Sequence, residues 1–213
     1  MKTKKKKVLR WERRPDDRPH ELLEAALRVF ASQGYRNARL EQVAAAAGVT
    51  KGALYHYFRN KEALLLRVLE LNQTRAFGRV ENALRDVSGS SSLRLRVMLR
   101  KLFGGDDPAR RDVLQLLQSV VHEVPDVYRQ WLARGPMRAW RMVAALIEEG
   151  TATGEFRADV DGEVAARVFV TGLMVQLVWQ HSATDVPRMV IDQERLIDSA
   201  VELLLAGLRG TDI

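Results

Sequence analysis

The sequence predicts an all-α fold, with a small basic helical unit at the N-terminus and a larger, nearly neutral helical part behind it. Three observations predict this. Apolar residues recur at helical spacing almost throughout the 213 residues, and strand-like alternation is nearly absent. With 46% hydrophobic residues, the chain can bury a core of ordinary size. The net charge of +7 is one-ended: residues 1–60 hold 14 Lys and Arg against 6 Asp and Glu, a balance of +8, whereas the remainder holds 20 against 21. A positive field confined to one end points to a polyanion met by that end.

Taken in order, residues 1–16 ("MKTKKKKVLRWERRPD") read as a basic flexible arm. Asp16 or Asp17 is placed to cap a first helix, with Pro19 tolerated in its first turn. "ELLEAALRVFASQG" sets Leu22, Leu23, Ala26, Leu27, Val29 and Phe30 around one side, and Gly34 is a natural stop. A short helix follows over about 40–46, ended by Gly48. Thr50 starts another, to about Tyr57. Asn60 caps a fourth, from Lys61 to about Asp86, and "SGSSS" (88–92) is a linker. Further helices are expected near 93–103, 108–122, 126–153, 161–182 and 190–208, the long one kinked at Gly135-Pro136.

Composition excludes several classes. The absence of cysteine removes disulfide frameworks and thiolate chemistry, and suits a cytoplasmic protein. The basic N-terminus is not followed by an apolar stretch, so no secretory signal is expected. The densest apolar run, "VFVTGLMVQLVW", is too short for a membrane span. Four dispersed histidines, no phosphate-binding glycine loop and no nucleophile motif leave nothing to support an enzyme, a metal site or a cofactor.

Residues 40–57 carry the chemistry. Leu40, Val43 and Ala44 face inward from one short helix, and Ala44 is small where the two helices cross. Gly48 supplies a left-handed turn position, and Val49 and Leu54 bury the next helix. This is a helix-turn-helix. The helix "KGALYHY" cannot bury three consecutive rings on one face. With Leu54 and Phe58 inward, Lys51, Gly52, Ala53, Tyr55 and Tyr57 point outward or sideways, at the start of a recognition helix. Lys51 suits guanine acceptors or phosphate, Gly52 permits close approach, and Ala53 offers a methyl to thymine. The tyrosine hydroxyls suit phosphates, as does Lys61 in the first turn of the next helix. His56 is expected to pack against the preceding helix.

The stretch "LLEAALRVFASQGYRNARLEQVAAAAGVTKGALYHYFRNKEALLLRVL" resembles the N-terminal domain of the tetracycline-repressor (TetR) family of bacterial transcriptional regulators. The carrying motifs are "F…GY", "VA…AGV" and "LYHYF…KEAL". The resemblance implies an all-α homodimer on a palindromic operator in double-stranded DNA, usually a repressor, with a helix-turn-helix DNA-binding domain over 17–62. It also implies a ligand-binding and dimerisation domain over 63–213, answering a small-molecule effector. By position it places Thr50, Lys51, Gly52, Ala53, Tyr55, Tyr57 and Lys61 at DNA. The family usually has Ser or Thr where this chain has Ala38 and Arg39. Arg39 can replace the lost phosphate contact, and Asn37 the lost cap.

Two helices suit a dimer. "DGEVAARVFVTGLMVQLVWQHS" is apolar nearly all round, so it is expected to pack on its own chain and on a second copy, with Val168, Leu173 and Val175 in the contact. The last helix offers Leu196, Ala200, Leu203 and Leu204 for an isologous four-helix interface. Candidate pocket residues are the large or adaptable side chains Met98, Trp131, Met137, Trp140, Met174 and Trp179, with His122 as a polar handle. Arg134, Arg138 and Arg141 share one helix face, either a solvated face or a site for an anionic ligand such as an acyl-CoA. The expected function is a repressor released by a small, largely apolar ligand. The alternative is a ligand-independent architectural or cell-division DNA-binding factor on the same fold.

Overall fold

The computed structural model describes residues 18–182 and 191–209, and all regular structure among them is helical. Asp16 and Asp17 lie outside the described residues. Helix α1 (Arg18–Gln33) ends at Gly34, whose φ of +76° is the left-handed stop that glycine adopts freely. Helices α2 (Leu40–Ala46) and α3 (Lys51–Tyr57) are joined through Gly48 at φ +66°, where the Val49 N–H donates to the Ala44 carbonyl at 2.9 Å. Thr50 Oγ1 accepts from the Ala53 N–H, and Asn60 Oδ1 from the Ala63 N–H, starting α3 and α4 (Lys61–Arg85). At 1.5 Å per residue α4 runs for about 37 Å.

Six more helices follow among the described residues: α5 (Ser91–Phe103), α6 (Pro108–Glu123), α7 (Pro125–Arg134), α8 (Pro136–Ala152), α9 (Gly162–Ser182) and α10 (Gln193–Arg209). Helix α5 starts earlier than the apolar spacing predicts. The Glu155 carboxylate accepts from the Ser91 and Ser92 N–H groups at 2.6 and 2.9 Å, fixing that end. The expected kinked helix over 126–153 is instead two helices, a correction with a steric cause. Gly135 leaves the helical region with ψ −80°, and Pro136 begins α8 where its missing N–H costs nothing. Gln73 of α4 fills the space beside Gly135, donates to the Trp131 carbonyl at 2.9 Å, and would collide with any Cβ at position 135.

Helix α9 corrects another expectation. Gly162–His181, with mean hydropathy 1.3, is long and apolar enough to cross a membrane by length and composition. Packing within the protomer accounts for one side of it only. Gly162, Ala166, Val170, Leu173 and Leu177 are buried on one side, while Val164, Val168, Val175 and Trp179 are exposed on another. Helix α9 packs on α8, α6 and α10.

Two apolar clusters hold the chain together. One unites α1, α2, α3 and the start of α4 with Val113, Leu116, Leu117 and Val120 of α6 and Val127 and Trp131 of α7. The other joins the far part of α4 to α5, α8, α9 and α10. In the second, the Phe156 ring folds over Gly150 so closely that a Cβ there would collide with it. Gly150→Ala is therefore expected to destabilise the fold by about 1–3 kcal/mol, the usual cost of forcing an extra carbon into a packed core. Thermal unfolding checks this; an unchanged midpoint would mean that Phe156 can leave its seat without cost.

Candidate functional site

The recognition surface is built on α3. Leu54 is fully buried and Phe58 nearly so, which anchors one side. Lys51 and Gly52 are exposed, Ala53 is half-buried, and Tyr55 and Tyr57 stand 45% and 47% exposed. A Cβ at Gly52 would meet nothing nearer than Thr50 Oγ1 at 4.0 Å, so this side of the helix is open. His56 is also exposed, its ring edge-on to Tyr57 at 5.7 Å, so the expected packing of His56 against α2 is corrected. With the chain turning about 100° per residue, only Leu54 of this stretch reaches the interior.

Lys51 is paired within the protein. Its Nζ lies 2.5 Å from Glu41 Oε1 of α2 and 5.7 Å from the Tyr55 ring centroid. The hydrogen bond to Glu41 raises the ammonium's pKa, and the same bond lowers that of the Glu41 carboxyl. Glu41 thus tethers Lys51 on the exposed side of α3, a pairing that the sequence alone does not announce.

Lys61 is engaged as well. Its Nζ donates to the Arg36 carbonyl at 3.1 Å and lies 4.4 Å from the Tyr35 ring centroid. Burial lowers its pKa, opposed by the Glu123 carboxylate of α6. Burial also pushes the Tyr35 hydroxyl up to about 12, with the charges of Glu62 and Glu123 adding to it. Lys61 therefore closes the α1–α2 loop. Arg39 is exposed at the start of α2, where its N–H donates to Gln42 Oε1 at 2.8 Å. Gln42 supplies the cap expected of Asn37, whose amide instead donates back to the Gln33 carbonyl. A Gln three residues into a helix was the available signal. Arg36 and Arg59, also exposed, enlarge the positive set.

A cavity of about 120 Å³ lies behind α4, walled mainly by apolar side chains of α4, α5, α6, α8 and α9. Leu69, Phe77, Leu114, Trp131, Met174 and Leu177 are among its lining, with Asn72 and Gln73 as polar members. It shares Arg79, Asp107 and Arg110 with an open cleft of about 790 Å³ that Arg100, Lys101, Asp106 and Glu194 also border. Arg79 pairs with Asp107 at 3.2 Å. Arg110 donates to the carbonyls of Leu102, Gly104 and Gly105, and burial depresses its pKa, opposed by Asp107. A second chamber of about 240 Å³ is lined by Tyr128, Trp131, Trp140, Met174 and Trp179, and by Val175 of the exposed α9 face.

Trp131, Trp140, Met174 and Trp179 thus line one or both chambers. Three other expected pocket residues do not. Met98 is fully buried in the second apolar cluster, where α5 packs inward. His122 is exposed near the end of α6, and Met137 is 41% exposed at the start of α8. The arginine face is also reassigned. Arg134 pairs with Glu70 and Arg138 with Glu81, both on α4, and the Arg138 guanidinium stacks 4.3 Å from the Phe77 ring. These two arginines lace α7 and α8 to α4. The cations beside the cavity come instead from α4, α5 and α6.

Of the expected contact residues between copies, Leu203 is 75% and Val168 70% exposed, and Val175 is exposed. Leu196, Ala200 and Leu204 are half-buried. Leu173 is 5% exposed and belongs to the protomer's own core, which corrects its placement. An all-round apolar helix hides from the sequence which of its faces is inward.

Comparison with known proteins matches this geometry to proteins of known kind. Residues 22–68 match the family model for bacterial regulatory proteins, tetR family, and residues 104–207 that for the AefR-like transcriptional repressor C-terminal domain. Transcriptional regulator AcuR of Cereibacter sphaeroides is 32% identical over 155 residues, covering 71% of this chain and 70% of that protein. The HTH-type transcriptional repressor KstR2 of Rhodococcus jostii is 28% identical, covering 75% and 78%. The crystal structure of the regulator FadR from Bacillus subtilis in complex with stearoyl-CoA superposes with a TM-score of 0.71 at 22% identity, covering 89% of this chain and 98% of that one.

Proposed function

The chain belongs to the tetR family of bacterial regulatory proteins, DNA-binding regulators of transcription, and we propose that it is a dimeric repressor released from a palindromic operator by a CoA thioester. The observation that carries the reading is the placement of α4. This helix begins at Lys61, directly after the recognition helix, and Leu69, Gln73 and Phe77 further along it wall the apolar cavity. The cavity suits an acyl chain, and in the adjoining cleft Lys101, with Arg79 and Arg100 exchanging their Asp107 and Asp198 partners, suits phosphates. The FadR structure holding stearoyl-CoA supports the ligand class.

In the dimer, α9 and α10 of two copies form a four-helix contact, and the two α3 helices enter major grooves about one helical turn, ~34–36 Å, apart. Ligand in the cavity displaces α4 and changes that separation, so one α3 is misplaced when the other is docked. Such coupling is typically about 1–3 kcal/mol and is reciprocal. Operator DNA, located by genome-wide mapping of bound sites, is therefore expected to weaken octanoyl-CoA binding by about 5–150-fold. Calorimetric titrations with and without saturating operator measure this. Identical affinities would remove the mechanism and favour the ligand-free architectural reading, which further predicts many scattered sites rather than one or two promoters.

A further inference from the structure

Four residues line both the first cavity and the aromatic chamber next to it: Leu117, Trp131, Pro136 and Met174. They are the wall between two spaces that continue one another. Cleft, cavity and chamber are linked in series by shared residues, Arg79, Asp107 and Arg110 at one junction and these four at the other. The path runs from a cleft of mixed charge, where Lys101 and the paired Arg79 and Arg100 stand beside Asp106 and Glu194, through an apolar space, to the exposed α9 face at Val175 and Trp179.

Resting on the CoA-thioester reading, we propose that the Trp131–Met174 wall sets the acyl-chain length this regulator accepts, and that the chamber behind it is a reserve subsite for a longer tail. The first cavity alone, at about 120 Å³, falls well short of the ~300 Å³ at which ordinary ligand pockets begin, and joining it to the second chamber reaches that range. The two main wall residues differ in freedom. Trp131 is held by stacking on Tyr128 at 5.6 Å and by the Gln73 side chain on its carbonyl. Met174 is half-buried and unbranched, with three rotatable bonds. Met174 is therefore the movable half of the wall, and removing its side chain opens the chamber while Trp131 stays seated.

The test is calorimetric titration of the full chain with butyryl-, octanoyl- and palmitoyl-CoA, for wild type, Met174→Ala, and Met174→Ala combined with Leu132→Trp. Leu132 lines only the second chamber, so a larger ring there refills it. Each buried methylene tightens binding about fourfold, equivalent to ~0.8 kcal/mol. In wild type this gain is expected to stop by the medium chain length. In Met174→Ala it is expected to continue, raising the preference for palmitoyl-CoA over octanoyl-CoA at least about tenfold above wild type. The double variant should return to the wild-type pattern. Circular dichroism verifies that each variant is folded. A wild-type gain that continues unbroken to palmitoyl-CoA, or a Met174→Ala profile that matches wild type, overturns the wall while leaving the CoA reading intact. No binding of any of the three thioesters by folded wild type overturns both.

Discussion

Replacing Val168 and Leu203 by glutamate together will give a folded monomer that no longer holds operator DNA. Both side chains are at least 70% exposed in the protomer, so a carboxylate at either position is solvated in a lone chain and its fold is undisturbed. In an isologous contact each substitution occurs twice. Four carboxylates are then driven into an apolar interface, at an effective penalty of several kcal/mol per ion. Leu173 and Leu204 are unsuitable positions for this experiment, because both pack within the protomer and a carboxylate there would disturb its own core as well. Sedimentation velocity, circular dichroism and a gel-shift titration read the three consequences separately. A variant that still sediments as a dimer would remove α9 and α10 as the interface.

Lys51→Ala and Lys61→Ala are expected to damage DNA binding in different ways. Lys51 sits on the open side of α3, tethered to Glu41, and on the proposed reading it is the side chain that reaches base edges. Its loss should reduce discrimination between operator and random DNA by about 1–3 kcal/mol, roughly 5–150-fold. Lys61 sits at a helix start with one N–H on the Arg36 carbonyl, and on the proposed reading it meets the DNA backbone whatever the sequence. Its loss should weaken operator and random DNA alike, with the ratio preserved. Competition titrations at one fixed salt concentration distinguish them, since phosphate contacts vary steeply with salt. An equal fall in the ratio for both variants would contradict the division of roles.

The sequence made the helix-turn-helix legible because steric demands there are local. Gly48 must turn left-handed, Leu54 must point in, and Thr50 and Asn60 cap their own helices, so each residue announces its role within a few positions. What was not legible depends on distant partners. At Gly135 the helix breaks fully rather than kinking, and the Trp131 carbonyl there is met by Gln73, sixty-two positions away on α4. The arginines of α7 and α8 looked like a possible ligand face because Glu70 and Glu81 are invisible as their partners until the chain is folded. Met98 and Trp131 are alike in sequence terms, both large and apolar. Only packing sends Met98 into the solid core and Trp131 to a cavity wall.

The apolar cluster that joins α1, α2 and α3 to α6 and α7 bears on how regulators of this kind can be recombined. Engineers who want a new sensor on an old promoter splice chains at one point in the sequence and treat each side as a cartridge. Here the seam between reader and sensor is a surface, not a point. Val113, Leu116, Val120 and Val127 come late in the chain and yet complete the packing of Leu23, Leu27, Phe30 and Leu65. A hybrid spliced at Asn60 would inherit half of that surface from each parent and leave its halves mismatched. The transplant that preserves both switching and fold carries the inner side of α6 and the start of α7 along with the DNA reader, and exchanges only the chambers beyond them.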